Sequence, residues 1–163
     1  MSARPPPRCR IEYASAGTRA PRFARARVQA VVEAALAAAK GRPPAKGWLL
    51  TVLLVGAARS AELHGAHFAD PTPTDVMTFP DGGIDPGNGR LRLGDLAVCV
   101  DVARTEATRR ARPVADELTL YILHGVLHLL GQDDHDDANR RRMWRAQRRL
   151  LAEVGIVLEA EPC

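Results

Sequence analysis

YILHGVLHLLGQDDHDD, residues 121–137, sets His124 and His128 four positions apart in an apolar run and breaks that run at Gly131. On a helix, side chains four apart share one face about a turn apart, so both imidazoles can reach a single point. Glycine takes the left-handed conformation after a last helical turn at little cost, so Gly131 is expected to end the helix and turn the chain back. That return carries His135, among Asp133, Asp134, Asp136 and Asp137, toward the same point. Three of the chain's five histidines fall within these residues, a density that burdens a core helix unless an ion offsets it. The cluster predicts one metal site with His124, His128 and His135 as ligands. Imidazole suits Zn²⁺, and three protein ligands leave a fourth position open, the mark of a catalytic site.

Upstream, Val114, Leu118, Tyr121, Ile122, Val126 and Leu129 recur at three- and four-residue intervals, predicting a helix over 114–130 opened by Pro113. Before it, LRLGDLAVCV at 91–100 reads as a central strand because its apolar run is nearly continuous, and Asp101 is placed to cap a helix running to Arg112. WLLTVLLVG at 48–56 is a second buried strand, with a short helix over 57–68. Asp75–Phe79 is a strand candidate, 81–90 a Gly/Pro/Asp/Asn loop and 41–47 a linker. A helix is expected over 22–39, a short strand over 10–13 and a last helix over 136–154 led by Asp136 and Asp137. Residues 1–9 read as a flexible extension of a single domain. The element order predicts an α+β fold, helices packed on a small mixed sheet.

The 163 residues are 46% hydrophobic, enough for one ordinary core. No run reaches the roughly 18 to 20 apolar residues of a membrane span, and MSARPPPRCRIEY lacks a signal-peptide core, so a cytoplasmic protein is expected, with no membrane partner. Cys9, Cys99 and Cys163 are odd in number and have no CxxC spacing, which argues against a disulfide framework or a four-cysteine zinc site. The net charge of +4 is carried mostly by arginine, the better bidentate partner for phosphate, and tilts the partner toward nucleic acid. Arg140, Arg141, Arg142, Arg145, Arg148 and Arg149 crowd the last helix and, with Arg109, Arg110 and Arg112, can track a phosphate backbone. Aromatic stacking platforms are scarce, since the chain has two Trp, two Tyr and three Phe.

In the zincin pattern HExxH the second residue is the glutamate base of a peptidase, and here that place is Gly125. Peptide hydrolysis is therefore a weak reading. Phosphodiester hydrolysis needs chiefly a positioned water and charge stabilisation, with Asp133, Asp134 or Asp75 available as helpers.

HGVLHLLG at 124–131 followed by QDDH at 132–135 resembles the HGxLHLxG(Y/H)DH motif of the YbeY family of bacterial metal-dependent endoribonucleases. PTDVMTFP at 73–80 is similar to that family's PTDVLSFP, and LGDLAVC at 93–99 to its GDIxI(C/S) strand. The resemblance implies a mixed sheet of about four strands with surrounding helices and a zincin-like metal helix. It further implies one zinc on His124, His128 and His135, and a cleft for single-stranded RNA. The implied role is cleavage in 16S rRNA 3′ end maturation and ribosome quality control, beside the small ribosomal subunit and its associated proteins.

Two places depart from the family pattern. His135 is eleven residues after His124 rather than ten, which puts Asp134 at the usual ligand position as a competing ligand. The family's arginine, six residues before the Thr of PTDV, is replaced by Phe68, with His67 at a tyrosine position and His64 at an asparagine position. A phosphate clamp then has to come from elsewhere, Arg104 or Arg109 being the candidates, with His67 as a proton donor. A ribosome-binding assembly factor with a mainly structural metal is the rival reading.

Overall fold

A computed structural model describes residues 8–159. Its elements are β1 (Arg10–Ala16), α1 (Arg25–Ala38), β2 (Trp48–Val55), α2 (Ala57–Phe68), β3 (Val76–Pro80), β4 (Leu91–Cys99), α3 (Val100–Arg109), α4 (Val114–Leu129) and α5 (Asp137–Ala152). The strands form one sheet in the order β1-β2-β4-β3. β1, β2 and β4 run parallel, and β3 returns antiparallel along the edge of β4. This is the expected α+β fold, and β4 is internal, as its apolar run implies.

Alternation within the strands sorts their side chains. Leu50, Val52 and Leu54 of β2 and Leu96 and Val98 of β4 enter one core with α1 and α4. Leu118, Ile122, Leu123 and Val126 of α4 are fully buried there, each stabilising the fold by about 1.5–3 kcal/mol through lost apolar exposure. α4 lies so close to the sheet that a β-carbon on Gly125 would stand 2.7 Å from Leu96 Cδ2 and 3.2 Å from Val76 Cγ2. Gly94 marks a second close approach: a β-carbon there would meet the Phe79 carbonyl oxygen at 2.5 Å and Leu129 Cδ2 at 2.8 Å. The end of α4 and the end of β3 therefore meet at Gly94.

Some local expectations change. Asp101 does not cap its own helix. Cys99 is the cap position of α3, and the Asp101 carboxylate accepts a hydrogen bond from Ala57 N at 2.8 Å, capping α2 instead. A carboxylate in the first turn of one helix thus satisfies the orphan donors of another that starts at the same sheet end. Asp136 does cap α5, accepting from Asn139 N at 2.8 Å. Of the expected extension 1–9, residues 1–7 lie outside the described residues, as does Cys163. Cys9 is buried in the core, and its carbonyl accepts from Gln29 Nε2 at 2.6 Å. No helix among the described residues is long and apolar enough to cross a membrane.

Candidate metal centre and cleft

α4 carries a polar stripe along one side, Glu117 and Tyr121 buried and His124 and His128 half-buried, at helical spacings of four, three and four. Gly125 faces the sheet, while His124 meets α5 and His128 meets the turn that precedes α5. His124 presents Nδ1 to Gln147 Oε1 at 2.9 Å, and His128 presents Nδ1 to the Gln132 carbonyl at 3.0 Å. Both partners are oxygens that only accept, so both Nδ1 atoms carry the proton and donate. Each Nε2 is left with its lone pair, and the two Nε2 atoms face one another at 3.0 Å. Two lone pairs at that separation repel unless a cation lies between them. Two imidazoles bound tetrahedrally at about 2.0–2.1 Å would place their nitrogens only slightly farther apart.

Asp134 supplies the third group. Its Oδ2 lies 3.7 Å from His124 Nε2 and 3.8 Å from His128 Nε2. The three residues together could hold a metal ion, their donor atoms all lying within 4.8 Å of one another. Burial, then the neighbouring His124, holds the His128 imidazole below its ordinary pKa, and Asp134 opposes this only in part. The neutral form, which ligates metal, is thereby favoured.

His135 is not brought to the pair. It is exposed, and its backbone N–H donates to Asp133 Oδ1 at 3.2 Å, so this acidic turn presents Asp134 where the histidine was expected. The extra residue in the turn accounts for the exchange, since it moves each later side chain one place along a tight path. Asp133 is exposed and occupied by that amide.

His124 and Asp134 open onto a cleft of about 470 Å³ whose walls also include Thr74, Asp75, Glu106, Arg110, Glu117, Tyr121, Arg140, Trp144 and Gln147. Asp75 is thus placed at the cleft, its Oδ1 accepting from Val76 N at 2.7 Å and from Thr74 Oγ1 at 3.2 Å. Arg104 is not. It donates to the Arg19 carbonyl at 3.0 Å and pairs with Asp101, on the far side of α3. Arg109 is exposed and paired with Glu106 at 2.7 Å. The guanidiniums that do line the cleft are Arg110 and Arg140. His67 is exposed and packs edge-on against Phe79, ring centroids 5.1 Å apart, and is not a cleft residue.

Gln147 and Glu117 are the residues that reading by motif passes over. Gln147 is a buried amide at the α5 position where Met143, Leu150 and Leu151 make an apolar stripe, and a polar residue in such a stripe was the available signal. Glu117 is 1% exposed, with its Oε1 unpartnered and 3.7 Å from Arg112 Nε. Burial raises its pKa despite the opposing pull of Arg110, Arg112 and the Tyr121 hydroxyl.

The family model described as Endoribonuclease YbeY matches residues 15–155. A Micrococcus luteus protein named Endoribonuclease YbeY is 44% identical over 107 residues, covering 63% of this chain and 68% of that protein. Proteins of the same name from Kineococcus radiotolerans and Thermobifida fusca are 42% and 40% identical, covering 65% and 69% of this chain and 66% and 76% of theirs. The solution structure of TM1509 from Thermotoga maritima superposes with a TM-score of 0.57 at 23% identity over 89% of each chain, which bears on the fold alone.

Proposed function

The chain belongs to the YbeY endoribonuclease family, whose named members are nucleases acting on RNA, and from that premise we propose that it hydrolyses single-stranded rRNA with one bound zinc ion. The proposed task is 16S rRNA 3′ end maturation and ribosome quality control in the cytoplasm, in contact with the small ribosomal subunit and its proteins. The observation that carries the reading is the pair of Nε2 lone pairs at 3.0 Å, each fixed by a donating Nδ1, with His124 on the wall of a cleft that holds two arginines.

His124 and His128 would hold the metal. Of the two candidates for third place, Asp134 is favoured over His135 by its distances to both imidazoles. Bound there, zinc would supply Lewis acidity toward a phosphoryl oxygen and acidify water near neutral pH.

The remaining steps fall to the chain's own side chains. Arg110 and Arg140 neutralise the non-bridging oxygens of the scissile phosphate and take the part of the arginine that Phe68 replaces. Asp75, with Oδ1 committed to Val76 N and Thr74 Oγ1, keeps Oδ2 to orient water and accept its proton. Gly125 excludes a peptidase base on structural grounds, since any side chain there would enter the space of Leu96.

The test is a single-stranded RNA spanning a ribosomal 3′ end, incubated with protein of measured zinc content. His128→Ala is expected to abolish cutting while leaving RNA binding intact. Cutting that proceeds at full rate after chelation would overturn the proposal. An assembly factor with a structural metal is the second reading, favoured by Phe68 at the arginine position, and it predicts ribosome binding without cleavage.

A further inference from the structure

α2 ends in an aromatic cluster that the cleft does not use. Phe68 is 53% exposed and is the one aromatic among the exposed large hydrophobic residues of the described chain. It does not stand alone: His64 lies 5.6 Å from its ring, Phe79 lies 6.5 Å from it, and His67 packs on Phe79 at 5.1 Å, centroid to centroid. The four rings form a contiguous cluster in which Phe68 and His67 are both exposed. An apolar ring held in that position by a helix end has lost burial without compensation inside the fold.

The cluster is joined to the cleft. The carbonyl oxygen of Phe79 and the side chain of Leu129 both approach Gly94, so the backbone of β3 at Phe79 lies beside the end of the histidine helix. The segment between Phe68 and the cleft is tied down at two points. His64 Nδ1 donates to the Thr72 carbonyl at 2.8 Å, and Ser60 Oγ donates to the Thr74 carbonyl at 3.1 Å while accepting from Thr74 N at 3.1 Å. Thr74 and Asp75 then line the cleft itself. Only the five residues 69–73 separate Phe68 from Thr74 at the cleft wall.

We propose that Phe68, backed by Phe79, His64 and His67, is a base-stacking site for one nucleobase of single-stranded RNA outside the metal cleft. It rests on the nuclease reading above and adds a contact that reading lacks. Stacking tolerates any base, since each has a π face, and it selects unpaired strands because paired bases are already stacked.

The experiment measures binding of a fluorescein-labelled single-stranded 12-mer RNA by anisotropy, in chelator so that no cutting occurs, across a salt series. Phe68→Ala should weaken binding by roughly 5- to 100-fold, as loss of one stacked base does, with the slope of log K against log salt unchanged. Phe68→Trp should restore binding, and Phe68→Leu should not. Melting curves of the variants confirm the fold, which an exposed side chain leaves intact. Equal affinity of the wild type and Phe68→Ala, or full binding by Phe68→Leu, overturns the stacking site alone. A wild-type dimer that Phe68→Ala converts to a monomer with unchanged RNA affinity overturns it in favour of self-association. Absence of any RNA binding by the wild type overturns the nuclease reading along with it.

Discussion

The Nδ1 atom of His124 donates to Oε1 of Gln147, 2.9 Å away and 23 residues later in the chain. This bond fixes the tautomer of the His124 imidazole from a different helix, and in a metal ligand a fixed tautomer raises basicity and sets ring direction. Gln147→Ala is expected to weaken zinc affinity about 10- to 100-fold, with Gln147→Glu retaining most of it because the acceptor survives. Competition with a chromophoric chelator reads both values. Equal affinity in the wild type and Gln147→Ala would show that the bond does not support the metal.

The acidic turn offers two ligands for one place. Asp134→Ala should lower zinc stoichiometry well below one per chain, while His135→Ala, removing an exposed imidazole, should leave it near one. Elemental analysis of the two purified variants decides between them, and the reverse result would restore His135 as the third ligand.

Glu117 makes stability depend on pH in a direction opposite to an ordinary surface carboxylate. Burial raises its folded pKa above the unfolded value of about 4.3, so its favourable contribution is complete below that value and is lost as pH rises through the folded pKa. Of the groups facing it, Arg110, Arg112 and Tyr121 oppose this without reversing it, and Glu106 adds to it. Glu117→Gln cannot ionise, so its melting temperature should gain on the wild type as pH rises above the glutamate range. Parallel melting curves for the two proteins would refute this.

Gly125→Glu recreates the HExxH pattern in name only. The new side chain would enter the space of Leu96 and carry a charge into an apolar layer. Overpacking costs about 1–3 kcal/mol, and a buried unpaired carboxylate adds several more. The variant should lose its cooperative melting transition and gain no peptidase activity.

Arg110→Ala and Arg140→Ala should each reduce the salt slope of single-stranded RNA binding by about 0.7, the share of one phosphate contact. Arg104→Ala, on the far side of α3, should leave it unchanged.

Periodic apolar spacing carried most of the fold. It placed α4 to within a residue, because burial against a sheet imposes a pattern that local sequence records. The histidine pair was equally readable, being one helix turn. What local spacing does not encode is how a turn of irregular backbone aims its side chains, and there the structure brings in Asp134 rather than His135. Asp101 shows the same limit, since its partner Ala57 lies 44 residues away and meets it only because two helices start at one end of the sheet. Gln147 needed the packing of α5 on α4 before its role was visible. Arg104 and Arg110 are close in sequence, yet only Arg110 reaches the cleft, which the helical phase of α3 and its end decide.

Gln147 sits on the helix that also displays the arginines, whereas His124 and His128 belong to the helix before it. An ion gripping the imidazoles and Asp134 therefore clamps the α4–α5 hairpin shut at its turn, and occupancy of the site and the docking of α5 become linked equilibria. Linkage is reciprocal: whatever presses α5 into place, an RNA strand on its cationic flank included, must tighten the grip on the ion by the same factor.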